Sequence, residues 1–301
     1  MKGCPMRTGI SDTLKATLWM MGAVVSFSAM AVAGREVSFE LDTFEIMLYR
    51  SIIGLVLVIT IASITGHLSD IKAERLGLHF TRNVFHFTGQ NLWFYAVTVI
   101  PFAHLFAFEF SVPIWVTIAA PFLLSEKLTR LRIGTVLLGL IGILVVTRPW
   151  LFGLSSGVIA AALCAIGFAG SAIFTKQLTQ TQKITSIMFW LTLMQLVFGL
   201  ICAGYDADIA LPSAQSMPWI IVVGLGGLFA HFCLTTALSL APATVVTPID
   251  FIRLPIIGVV GMMFYNEPLD VWVIIGAIVI FGANYLNIWS ENRKKPAMTQ
   301  I

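Results

Sequence analysis

PFAHLFAFEFSVPIWVTIAAPFLLSEKL (residues 101–128) and PATVVTPIDFIRLPIIGVVGMMFYNEPL (residues 242–269) decide the fold. Crossing a ~30 Å hydrocarbon layer takes about 20 apolar residues in a helix, and each stretch is long enough. Each opens on a proline and carries one acid followed by phenylalanine. Each ends in a glutamate followed two residues later by leucine. Pro101 and Pro242, Glu109 and Asp250, Phe110 and Phe251, and Glu126 and Glu267 all stand 141 residues apart. Outward from these stretches the offset persists without a gap. It pairs Ala96 with Ala237, Ile133 with Ile274, Ile46-Met47 with Ile187-Met188, Phe27 with Phe168 and Ala31 with Ala172. Chance identities are common in apolar sequence, but proline and glutamate marks recurring at one offset are not. The chain is therefore read as an internal repeat.

Composition gives the class. Of 301 residues, 58% are hydrophobic and 11% are charged, against roughly a quarter charged in soluble domains. So few charges cannot cover a water-exposed surface, whereas lipid-facing surface needs none. A net charge of +3, spread over short loops, argues against a nucleic-acid partner. Cys4, Cys164, Cys202 and Cys233 have no metal-ligand spacing. Lys2, Arg7 and Lys15 precede an apolar stretch ending in Ala31-Val32-Ala33, a signal-peptidase-like pattern. The stretch exceeds the usual core of ~7–15 residues and has a repeat partner, so it is read as a retained helix.

Membrane-length runs fall at 14–34, 43–64, 77–99, 102–124, 131–147, 156–175, 184–204, 217–240, 243–265 and 270–289. The predicted fold is an all-α integral membrane protein of ten transmembrane helices. The first five-helix repeat covers 14–147 and the second 156–289. With a cytoplasmic N-terminus, inside segments hold 14 basic residues and outside loops only Arg35 and Arg148, as the positive-inside rule requires. An odd number of helices per repeat makes the two copies inverted, an architecture shared by many secondary transporters.

Charges inside a membrane helix cost about 2.5–3.5 kcal/mol each on insertion scales and so are candidates for function. Four are present: Arg50, Glu109, Asp250 and Arg253. Counting along the runs puts Arg50 and Glu109 at matching depth in the outer half, where they could pair. Asp250 and Arg253 share a helix face at i and i+3. As repeat mates, Glu109 and Asp250 are expected on opposite sides of the midplane, while the counterpart of Arg50 is Leu191. Structural ion pairing remains the alternative reading. Pro113, Pro121, Pro248 and Pro255 interrupt the runs that carry the acids, and irregular backbone at membrane depth is tolerated beside a cavity. Gln90, matched to His231, lies next to Asn91 and Trp93 and one turn from His86. These polar groups complete the candidate substrate-binding or coupling set. Gly153-Leu154-Ser155-Ser156-Gly157 formally matches a hydrolase elbow but stands at a helix mouth, where Ser155 or Ser156 would be an N-cap. No metal, cofactor or enzymatic activity is expected.

Phe94-Tyr95-Ala96, through Pro101 and Pro113 to Ser125-Glu126-Lys127-Leu128 and then Gly139 and Gly142, resembles the EamA family of drug/metabolite transporters. Thr236-Ala237-Leu238, through Pro242 to Asn266-Glu267-Pro268, resembles its second copy. Tyr49-Arg50, Arg82 and Thr147-Arg148-Pro149 are similar to a subgroup that includes S-adenosylmethionine and riboflavin carriers. The resemblance implies a central cavity lined by runs 3, 4, 8 and 9. A bacterial inner-membrane location is expected. The inverted repeat suits alternating access, coupled to a proton or run as an exchange, and intramembrane acids and arginines with aromatics nearby suit a zwitterionic or heterocyclic metabolite. A passive channel and a membrane-embedded enzyme are the alternatives. The expected partners are a small molecule and the lipid bilayer, with a homodimer left open.

The segregation of basic residues makes a direct topological prediction. Cysteine labelling should find residues near 40, 150, 208 and 267 accessible from outside and both termini inside. An external C-terminus would contradict the ten-helix count.

Overall fold

The computed structural model describes residues 10–123, 129–241, 246, 249–268 and 270–294. Lys2, Cys4, Arg7, Ser125-Glu126-Lys127-Leu128, Pro242, Pro248, Leu269 and Lys295 lie outside the described residues. Every long element among the described residues is an α-helix: α1 (Ile10–Val37), α2 (Thr43–Ile64), α3 (Leu76–Val99), α4 (Phe102–Glu109), α5 (Val112–Leu123), α6 (Arg130–Thr147), α7 (Pro149–Phe152), α8 (Ser156–Thr179), α9 (Ile184–Ala203), α10 (Met217–Leu240), α11 (Arg253–Tyr265) and α12 (Val271–Lys294). A single 3-10 turn, Leu68–Asp70, follows α2.

Local chemistry sets the helix starts. Asp42 caps α2, its Oδ1 accepting from the Phe44 and Glu45 amides at 2.7 and 2.8 Å while Glu45 Oε2 accepts from the Asp42 amide at 2.9 Å. This is a reciprocal capping box. Ser155 caps α8 by accepting from the Val158 amide, so the hydrolase-like Gly-Leu-Ser-Ser-Gly string is a helix start. α1 continues unbroken through Ala31-Val32-Ala33.

Eight segments among the described residues are long and apolar enough to cross a membrane, with α4 and α5 together making one of them. Two expected runs do not qualify, for different reasons. α3 is 24 residues long but carries His79, Arg82, Asn83, His86, Gln90 and Asn91 on its buried face. α11 is apolar but only 13 residues long. Large apolar side chains such as Ile64, Phe122 and Met263 stand exposed over the outer surface, as a lipid-facing surface requires and a water-facing one would not tolerate.

Packing joins the two halves of the chain. α1 lies along α10 and α3 along α8, while α2 packs on α9 and α6 on α12. The 141-residue offset carries Leu76–Val99 onto Met217–Leu240, and it makes α1 packing on α10 the counterpart of α8 packing on α3. α6 and α12 touch at Gly142 and Gly276. A Cβ at Gly142 would stand 2.9 Å from the Gly276 carbonyl oxygen, and one at Gly276 would stand 2.7 Å from that of Gly142.

Two helix breaks fall immediately after an acid. α4 stops at Glu109 and α5 starts at Val112, leaving the Phe110 carbonyl to accept from Asn284 Nδ2 of α12 at 2.7 Å. In the second half the turn Phe251-Ile252 separates Asp250 from α11. The breaks are repeat mates. Phe110 and Phe251 stack with centroids 4.3 Å apart.

Gly142→Val is expected to destabilise the protein by about 1–3 kcal/mol through overpacking against a backbone that cannot yield. It should read as a lowered Tm in detergent. Gly134→Ala, on the same helix with nothing within 4 Å of the added carbon, should not lower it.

Candidate functional site

The breaks bring four candidate residues together. Arg253 stands at the first position of α11 and is 3% exposed. Its Nη2 lies 2.9 Å from Glu109 Oε1 and 3.2 Å from Asp250 Oδ2. Trp93 Nε1 of α3 donates to the other Glu109 oxygen at 2.8 Å. Rings of Phe27, Phe106 and Phe110 surround the guanidinium with centroids 4.9, 5.0 and 5.1 Å from Cζ. This aromatic cage favours a cation by its ring quadrupoles and keeps water from screening the ion pairs. Asp250 Oδ1 is buried with no hydrogen-bond partner.

The expected pairing of Arg50 with Glu109 is therefore not formed, because Arg253 holds both acids. Both acids lie within 3.2 Å of one Arg253 nitrogen, so the two repeat mates meet at a single guanidinium.

Arg50 instead lines a separate cavity between α2, α9 and α10, with Gln195 and His231 also in its wall. Among the described residues no carboxylate pairs with it, and its Nε is buried without an acceptor. His231 meets Phe27 edge-on at 5.3 Å, which links the Arg50 cavity to the Arg253 cage. Gln90 and Asn91 are buried on α3. Asn91 Nδ2 donates to the Phe87 carbonyl of its own helix, and neither bonds another candidate residue.

Other contacts depart from the sequence reading. Arg82 counts with the inside loops by position, yet it is 6% exposed within α3 and donates through Nε to Thr175 Oγ1 at 3.0 Å. Arg35 counts with an outside loop, yet it is buried in the last turn of α1. It donates to the Val97 and Ile100 carbonyls at 2.6 and 2.8 Å and pairs with Glu267. Glu267 also accepts from the Phe102 amide at the start of α4, at 2.9 Å. That contact explains the repeat mark: the glutamate closing the second copy ties down the helix start that follows Pro101. Arg148 pairs with Asp270 at the same end of the molecule. At the opposite end Lys183 Nζ meets Asp70 Oδ1 at 2.7 Å and Gln177 donates to the Leu123 carbonyl at 3.1 Å.

A recess of about 490 Å³ runs between α11 and α12 and presents Ile252, Val259, Ile274 and Ile278. These side chains are exposed and apolar, as on a lipid-facing surface.

Two copies of the EamA-like transporter family pattern match the chain, over residues 14–148 and 155–289. The chain belongs to the EamA-like transporter family. An S-adenosylmethionine uptake transporter of Rickettsia felis is 26% identical over 289 residues, covering 94% of this chain and 97% of that protein. A riboflavin transporter of Brucella anthropi is 27% identical over 271 residues, covering 88% and 95%. A solved crystal structure with 17% identity superposes with a TM-score of 0.64 over 93% of this chain and 99% of its own. That likeness is one of fold. Membership of this family makes the chain an integral membrane transporter, and the caged ion cluster is the most concentrated intramembrane charge among its described residues.

The corrected pairing is open to a double-mutant cycle. Glu109→Gln and Arg253→Gln should couple by about 0.5–3 kcal/mol in thermal stability. Arg50→Leu with Glu109→Gln should be additive. Strong coupling in the second cycle, and none in the first, would restore the pairing that the structure excludes.

Proposed function

We propose that this chain is a secondary carrier that moves a small organic metabolite by alternating access. It has ten membrane-crossing helices in two inverted repeats, 14–147 and 156–289, with both termini in the cytoplasm of a bacterial cell and the chain in its inner membrane. The observation that carries the reading is the stacking of repeat mates Phe110 and Phe251. A residue that touches its own mate lies beside the axis relating the two copies. The packing of α1 on α10 and of α8 on α3 supports the same axis. An axis in the membrane plane makes the two ends of the bundle nearly equivalent, so two states opening to opposite sides have similar energy.

The ion cluster beside that axis supplies the chemistry. Two carboxylates on one guanidinium leave one negative charge unmatched. A proton or a cationic group of the substrate would neutralise it, which gives Glu109 and Asp250 their role as coupling or substrate-binding acids. Arg253 keeps them apart, and Trp93 fixes the Glu109 carboxylate. Arg50 and His231, with Gln90 and Asn91 on the adjoining face of α3, complete the proposed binding surface. The relatives' names favour S-adenosylmethionine as first substrate and riboflavin as second.

Counterflow in proteoliposomes tests this. Vesicles preloaded with unlabelled S-adenosylmethionine, then with riboflavin, should accumulate the labelled compound transiently above equilibrium. Uptake without any overshoot would mark a channel. Product formation without a membrane gradient would mark an enzyme.

A further inference from the structure

We infer that the cavity around Arg50 is the subsite for an anionic head group of the transported molecule, a carboxylate in the first instance. This deepens the carrier reading and rests on it. Arg50 lies within a bundle whose acids are engaged elsewhere: Glu109 and Asp250 by Arg253, and Glu45 by its capping box and the Ala210 amide. Arg50 is half-buried and faces a recess of about 30 Å³, with room for an ordered water or a small polar head. The floor of the cavity is built to hold the arginine there. A Cβ on Gly227 of α10 would stand 3.0 Å from Arg50 Nη2 and 3.2 Å from Nε, so only glycine lets the fork lie flat against that helix without forcing it aside.

One further positive charge stands behind it. Arg82 on α3 lies within the electrostatic field of Arg50, while the imidazole of His231 on α10 shares the cavity wall. Among the described residues, Arg82 donates to the neutral acceptors Thr175 and Asn83. Buried like charges without a counter-ion are unfavourable, so a fold that gathers them is stabilised when an anion arrives. A planar guanidinium presents N–H donors that match the oxygens of a carboxylate. Phe27, in contact with both His231 and Arg253, joins this basic end to the acidic one. The binding surface is thus polar in a defined sense: carboxylate toward Arg50, cationic centre toward Glu109 and Asp250.

The test has two arms on purified full-length protein in nanodiscs. In the first, melting temperature is followed on titration with sodium acetate and with sodium phosphate, each against sodium chloride of equal ionic strength. Wild type should be stabilised by acetate, and Arg50→Gln and Arg50→Lys should lose the effect. Stabilisation by phosphate alone would replace the carboxylate assignment, and stabilisation by neither would overturn the subsite. In the second arm, binding of S-adenosylmethionine is compared with that of its decarboxylated analogue. Wild type should prefer the carboxylate by about tenfold or more, as expected for a hydrogen-bonded charge pair. Arg50→Gln should bind both equally. Preference retained in that variant would overturn the inference. Acetate stabilisation with no binding of S-adenosylmethionine would uphold the subsite and reject the substrate reading.

Discussion

A buried guanidinium shared by two carboxylates holds the centre of this protein together. Arg253 reaches Glu109 from the first half of the chain and Asp250 from the second. Each acid stands at the broken end of a helix beside a phenylalanine that stacks on its counterpart. Removing any one member leaves a charge stranded in a low-dielectric site, which costs several kcal/mol. The aromatic cage, the Trp93 hydrogen bond and the backbone bond from Asn284 to Phe110 all help hold that arrangement in place.

The outer parts of the bundle obey a different logic. Helices pair across the halves through small residues, as where Gly142 meets Gly276, because lipid gives no hydrophobic drive and close backbone approach must replace it. Charged ties occur at the two ends instead. Arg35 with Glu267 and Arg148 with Asp270 close one end, and Lys183 with Asp70 ties the other. The Lys183–Asp70 tie has an exposed lysine and is cheap to open, whereas Arg35 with Glu267 is as buried as the central cluster.

Much of this was legible in the sequence. Apolar runs located the helices, prolines pointed to the two broken ones, and the 141-residue offset matched each helix to its mate, because proline and glutamate are rare enough in apolar sequence to mark a register. It also marked Glu267, although its partners, Arg35 and the Phe102 amide, became evident only in three dimensions. The Asp250–Arg253 pair was legible from its i, i+3 spacing, but the Glu109–Arg253 pair was not. Depth along a helix assumes a continuous helix, and Glu109 and Asp250 sit where the helices break. Arg82 and Arg35 read as loop charges because basic residues usually are. Their burial depends on Thr175, Asn83 and the free carbonyls of Val97 and Ile100, acceptors contributed largely by other helices.

Alternate opening of the two ends about a fixed caged ion cluster is the central claim. Spin-label distances test it most directly, in a chain whose native cysteines are replaced. One label pair belongs at Phe39 and Met263, exposed near the Arg35–Glu267 tie, and a second at Leu123 and Thr179, exposed near the Gln177–Leu123 contact. Addition of S-adenosylmethionine should lengthen the mean distance of one pair and shorten that of the other. Distances that move in the same direction, or one end that stays open in every condition, would contradict alternating access.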